Sequence, residues 1–258
     1  MTKAGGLPQE SLPTGWYGKI PSTGDFVARR VPAAFCESWD RWLQSAMTGS
    51  RERLAGRWRD IYLSMPVWRF VFSPGMLTEH AWAGIMVPSV DAVGRYFPLA
   101  VASALPSESL NIVATLEAAQ SWLDEIEAIA LSAIAPGANA AAIDAALAQK
   151  AFRTEWLHYP EGRDDTVPMR AATPQMLWLP LGARNGQPPA QQVTELAARL
   201  AEPTAVWLAE ESELFGRCLL LCESLPPAEQ YCAMMDGRWV ERGWGHRDVR
   251  NGAIAQVS

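Results

Sequence analysis

The amino-acid sequence predicts an α/β fold whose strands are covered on both sides, and three observations predict it. Apolar residues recur at helical spacing before and after a central block. Within that block, residues 67–104, the spacing changes to a period of two. Its last run, residues 96–104, is apolar on both faces, which belongs inside a sheet rather than at its rim. A chain of 258 residues, 49% hydrophobic and 19% charged, can bury about three quarters of its unfolded surface without a disulfide or metal staple.

Taken in order, residues 1–14 are rich in Gly, Pro and Ser and are expected to form a loose N-terminal arm. One domain is expected over 15–240 and a tail over 241–258. Pro32 opens a helix with Phe35, Trp39, Trp42, Leu43, Ala46 and Met47 on one side and Glu37, Asp40, Arg41 and Gln44 on the other. Gly49-Ser50 is expected to end it. A second helix carries Leu54, Trp58, Ile61 and Tyr62 inward and stops before Pro66. In VWRFVFS, Trp68, Phe70 and Phe72 share one face, and Val67, Arg69 and Val71 the other. Pro74-Gly75 turns the chain. Strands over 82–87 and 96–104 follow with short connections, so the three are expected to form an antiparallel meander.

A long helix is expected over 110–135, with Ile112, Leu116, Ala119, Leu123, Ile126, Ala130 and Ile134 as its inward stripe. Pro136-Gly137 ends it, and an Ala-rich helix follows over 138–150. Residues 152–173, with Pro160, Gly162 and Pro168, read as an irregular excursion. Beyond it are a strand over 176–181, a helix over 189–200, and strands over 205–208 and 217–222. A closing helix over 226–235 is capped by Asp236-Gly237. No internal repeat is visible.

The net charge of −6 argues against general affinity for nucleic acid, which needs a basic surface. Arg51, Arg53, Arg57 and Arg59, interspersed with Glu52 and Asp60, read as the wet face of a helix. The first fifteen residues lack an apolar signal segment. Cys36, Cys218, Cys222 and Cys232 are therefore expected to be reduced core residues of a cytoplasmic protein. The longest apolar segment carries Glu117, Asp124, Glu125 and Glu127, so no membrane insertion is expected.

Motifs for chemistry fail on their own geometry. In GWYGKIPSTG only two residues separate Gly15 from Gly18, Ile20-Pro21 follows Lys19, and Pro21 removes an amide that a phosphate loop needs. Cys218 and Cys222 on one strand would stand about 13 Å apart, too far to share a zinc ion. No metal or cofactor is expected. His80, His158 and His246 are scattered, and no G-x-S-x-G elbow is present. One enzyme reading stays open, a hydrolase with a site near Ser89 and Asp91 served by a distant histidine such as His80. A small-molecule sensor would need a largely apolar pocket of about 300 Å³ or more.

The loops are more informative. Asp91 and Arg95, four apart in VPSVDAVGR, either staple their loop or read a partner. Asp25 and Arg29, around Phe26, pose the same choice. Most of the twelve tryptophans sit in apolar stripes, whereas Trp16 and Trp244 lie among glycines and are expected to be exposed anchors for a protein partner.

The order GWYGKIPSTGDFVAR, ESWDRWLQ, YLSMPVWRFVFSPG, WAGIMVPSVDAVGRYFPLAVA and CLLLCESLPPAEQYCAMMDGRW resembles the TagF (ImpM) family associated with bacterial type VI secretion. The resemblance is strong over 15–103 and weaker over 205–239. It implies a three-layer α-β-α sandwich around a mixed, partly antiparallel sheet. It also implies a cytoplasmic, non-enzymatic accessory protein that restrains secretion after translation by binding the forkhead-associated scaffold protein of the apparatus. Some members are fused to a protein phosphatase, for which this chain is too short and has no metal-binding carboxylate motif. The family offers no established catalytic residues to carry over. The candidate partner-binding residues are accordingly those of the two loops and their flanks: Trp16, Asp25, Phe26, Arg29, Asp91 and Arg95.

Overall fold

The computed structural model of the chain describes residues 11–160, 175–181, 193, 197 and 204–246. Its elements are β1 (Ser11–Leu12), β2 (Thr14–Gly18), β3 (Val27–Arg29), α1 (Ala33–Leu54), α2 (Trp58–Leu63), β4 (Trp68–Phe72), β5 (Trp82–Val87) and β6 (Leu99–Ala104). There follow α3 (Ile112–Ala118), α4 (Gln120–Ala133), α5 (Ala140–Ala148), β7 (Phe152–Arg153), β8 (Met176–Pro180), β9 (Ala205–Ala209), β10 (Cys218–Cys222), α6 (Ala228–Asp236) and β11 (Gly245–His246).

Nine strands form one sheet in the order β11-β8-β10-β9-β4-β5-β6-β2-β3. Every neighbouring pair is antiparallel except β11 with β8. The expected meander is β4-β5-β6, with Phe70 opposite Gly84 and Gly84 opposite Ala102. Its third strand begins at Leu99 rather than Tyr96, because Pro98 has no N–H to give the ladder. Tyr96 makes only an isolated bridge to Val90.

Alternation along the strands assigns each side chain to one of two cores. Trp68, Phe70, Phe72, Trp207 and Leu220 pack with α1, α2 and α6. Val71, Ile85, Val101, Val206 and Leu221 pack with α3, α4 and α5. The result is the three-layer sandwich. The first core is aromatic: the Trp39 ring lies 5.5 Å from Phe70, and Trp42 lies 5.6 Å from Trp207. Such ring pairs add about 1 kcal/mol each beyond the area they bury.

Helix α1 runs through Gly49-Ser50, which the sequence reading made its end. Gly49 is instead the point where α1 and α6 touch, since a Cβ there would run into the Cβ of Ala228. The Ser50 hydroxyl donates to the Met47 carbonyl at 2.9 Å, inside the helix. The long helix expected over 110–135 is broken at Ala119. The Gln120 side chain donates to the Leu116 carbonyl at 2.8 Å and accepts from Arg69 Nη1 at 2.7 Å. That amide bridges the Leu116 carbonyl of α3 to a buried guanidinium. Asp124 and Glu127 of α4 complete the Arg69 site at 2.6 and 2.8 Å, so these two carboxylates serve as counter-charges. The Ala-rich helix begins at Ala140, capped by the Asn139 side chain, which accepts from the amides of Ala141 and Ala142.

Residues 11–14, read as the end of a loose arm, are anchored. Ser11–Leu12 pairs with β7, the Thr14 carbonyl accepts from Arg30 Nε at 2.8 Å, and Ser103 donates to the Pro13 carbonyl at 3.0 Å. Residues 241–246, read as tail, close one sheet edge. Trp244 is buried with its indole donating to the Gln230 carbonyl at 3.1 Å, and Gly245–His246 runs parallel to β8. The excursion after 152 opens with β7 and one 3-10 turn, Thr154–Trp156. Its residues 161–173, and the helix expected over 189–200 apart from positions 193 and 197, lie outside the described residues. Among the described residues no helix is long and apolar enough to cross a membrane.

Candidate functional site

Because β2 and β5 both pair with β6, the chain segments following them, residues 19–26 and 88–98, meet at one end of the sheet. Asp91 joins them. One of its carboxylate oxygens accepts from Lys19 Nζ and from Arg95 Nε, both at 2.7 Å. The other accepts the amides of Val93 at 3.0 Å and Arg95 at 2.8 Å. Burial raises the Asp91 pKa, but the Lys19 and Arg95 side chains and these two amides outweigh it and hold the carboxyl well below the usual carboxylate range. Arg95 reaches on to the Gly24 carbonyl, and the Ala92 amide donates to Thr23 at 2.9 Å. Two loops thereby become one body.

Ser89 ties that body to the helical layer. Its hydroxyl donates to the Lys19 carbonyl at 2.6 Å, its amide donates to the Tyr62 hydroxyl at 3.0 Å, and its carbonyl accepts from the same hydroxyl at 2.9 Å. Above it, Phe26 stacks on Tyr17 at 5.5 Å and meets the edge of Phe97 at 4.8 Å, with Lys19 Nζ 4.9 Å from its ring centre. Phe26 remains 45% exposed and Val93 69% exposed. The outcome is a braced tip carrying apolar and cationic groups at the surface.

The family model of the TagF N-terminal domain, type VI secretion system-associated, matches residues 15–150, more than half of the chain and all of this tip. The chain belongs to the TagF family. It is also similar to the crystal structure of PA0076 from Pseudomonas aeruginosa PAO1, with 32% identity and a TM-score of 0.67 over 87% of this chain and 94% of that one. No curated protein matches it.

In this TagF-family chain the six candidate residues fall into three groups. Asp91, Arg95 and Phe26 come together around Lys19. Asp25 and Arg29 are exposed beside them, and the Arg29 guanidinium donates to the neighbouring Ala28 carbonyl at 2.9 Å. Trp16 is no exposed anchor. It lies in the core against α5, with its indole donating to Asp144 at 2.8 Å, because a buried indole needs an acceptor and the helix supplies one. Trp244 is buried in the same way.

The hydrolase arrangement does not assemble at Ser89. Its hydroxyl is committed to Lys19, and His80 sits before β5 while Ser89 sits after it, with a six-residue strand about 17 Å long between them. His158 lies against α3, where its amide donates to Thr115 at 3.1 Å. A partly open cavity of about 150 Å³, lined in part by Leu116, Glu117, Leu208 and Arg217, is half the volume a small-molecule pocket needs, and the larger space of about 580 Å³ beside the tip is an open cleft. Among the described residues no three metal-ligating side chains cluster.

Sequence reasoning missed Lys19, Tyr62, Arg51 and Trp58. Lys19 sits in a segment whose spacing does not fit a phosphate loop, and nothing local says that its partner is 72 residues away. Arg51 lies in the last turn of α1 and Trp58 opens α2, with the guanidinium 4.5 Å from the indole centre, so their contact depends on the break between the helices and not on a spacing within one.

Proposed function

We propose that this TagF-family chain acts in the cytoplasm as a non-enzymatic negative regulator of type VI secretion, working after translation by protein–protein contact. The braced tip is its contact surface, and the forkhead-associated scaffold protein of the apparatus is its partner. One observation carries this reading: the Asp91 cluster fixes two loops in place while leaving Phe26, Val93, Arg95 and Arg29 outward. A surface ordered before binding loses little entropy on docking. A contact of standard size, about 800 Å² on each side, would cover the tip and its flanks.

Deleting the gene should raise secretion with transcripts of the secretion genes unchanged, and unchanged secretion counts against the reading. At the residue level, Val93→Asp and Arg29→Glu should weaken scaffold pull-down with the melting temperature preserved, since both side chains stand outside the packed core. Full pull-down by both variants would move the contact elsewhere on the molecule.

A further inference from the structure

Next to the tip, the end of α1 and the start of α2 form the second wall of an open cleft lined by Arg51, Trp58, Gly94, Arg95 and Tyr96. Its floor is aromatic and held in place. Trp58 stacks on Tyr62 at 4.8 Å, meets the edge of Tyr96 at 5.3 Å, and donates its indole N–H to Ser50 Oγ at 2.8 Å. Arg51 lies over that indole and has no ion pair among the described residues. Behind the opposite wall, Asp91 is shared by two cations, Lys19 and Arg95, which leaves a positive excess there. Glu52 and Asp60 lie on the same helices but do not line the cleft. A concave, doubly cationic site is thus set into a protein of net charge −6. Arg, Trp and Tyr are the residues that dominate binding energy at protein contacts.

We propose that this cleft receives carboxylate side chains from an acidic segment of a protein partner, an inference that rests on the contact reading above and gives the partner its chemistry. The Arg51 guanidinium carbon lies over the Trp58 ring at 4.5 Å, a contact that uses none of its N–H groups, and a guanidinium fork grips a planar carboxylate. The same guanidinium fork also pairs with phosphate, but phosphate sites set into loops add backbone amides around the anion. Those of the neighbouring loop are consumed: Asp91 N by the Arg95 carbonyl, Ala92 N by Thr23, Val93 N and Arg95 N by the Asp91 carboxylate, and Gly94 N by the Asp91 carbonyl. Only side-chain cations are offered.

The test is fluorescence anisotropy with a labelled peptide of Asp, Glu and Gly, beside its Asn/Gln counterpart, on the full chain. The acidic peptide should bind, weaken as salt rises, and bind Arg51→Glu about tenfold less well, the equivalent of one charge-assisted hydrogen bond. Arg59→Glu makes the same charge change on α2 outside the cleft and should leave binding within about twofold. Arg51→Gln repeats the test without a reversed charge, should reversal disturb α1. Absence of acidic-peptide binding, equal loss in Arg51→Glu and Arg59→Glu, or displacement by inorganic phosphate as readily as by unlabelled peptide would each overturn the proposal. If the peptide fails while wild type retains the scaffold and Val93→Asp loses it, the contact reading stands and this inference alone falls.

Discussion

Asp91 keeps a negative charge inside the protein, where its side chain has no exposed surface and its carboxyl meets Lys19 at 2.7 Å. Removing that charge strands the almost fully buried Lys19 ammonium, and breaking a buried pair in this way costs about 3 kcal/mol. Asp91→Asn should therefore lower the melting temperature at neutral pH, and charge reversal at Asp91 cannot serve as a clean interface test. The pH dependence follows from the depressed pKa of the folded state. The stabilisation is fully present above the unfolded carboxyl pKa, about 3.9, and is lost as pH falls from there toward the folded value. The gap between the melting temperatures of wild type and Asp91→Asn should begin to close below about pH 4 and narrow progressively as the pH falls further; a gap that stays constant down to pH 2 would assign the effect to packing instead. At this scale the sequence was half legible. The Asp91–Arg95 pair shows in a spacing of four, but Lys19–Asp91 and Trp16–Asp144 join residues 72 and 128 apart, which no local pattern encodes.

A helix that contains a glycine has sacrificed stability of its own, about 1 kcal/mol relative to alanine. In α1 the return is the close approach of α6, with Gly49 facing Ala228. Gly49→Ala should gain the helical term yet lose more to overpacking, typically 1–3 kcal/mol, for a net loss in chemical denaturation. Pairing it with Ala228→Gly restores the space, so the double variant should recover most of the loss. Additive losses would show that the two positions do not touch. This contact explains why Gly49-Ser50 reads as a helix end: a glycine kept for a neighbour and one kept for a turn look alike in sequence. Ala119 is the reverse case, a break without Gly or Pro, beside which the Gln120 side chain links the Leu116 carbonyl to Arg69. The strands were more legible. Alternate burial in VWRFVFS assigns Trp68, Phe70 and Phe72 to one core and Val71 to the other, and a one-residue slip would reverse every assignment.

For the whole molecule, the sequence contains the covered meander but not its place in the sheet, since periodicity reports which face is buried and not which strand lies alongside. The pairing of β9 with β4, across more than 130 residues, joins the late strands β8, β10 and β9 to the early ones. That pairing carries a consequence for unfolding. Cys218 and Cys222 lie on β10 and Cys232 on α6, all in the aromatic core, and burial pushes the three thiols up, Cys232 to about 11. Reaction with a disulfide reagent requires both a thiolate and access, so these three should stay silent in native protein at pH 8. Half-buried Cys36, its own pKa raised by burial, should react slowly and first. In rising denaturant the three silent thiols should become reactive together, at one midpoint shared with tryptophan fluorescence, because β10 hydrogen-bonds into the shared sheet and α6 packs on α1 in the same core. Cys232 labelled well below the midpoint of Cys218 and Cys222 would instead show α6 opening alone, with the sheet still closed behind it.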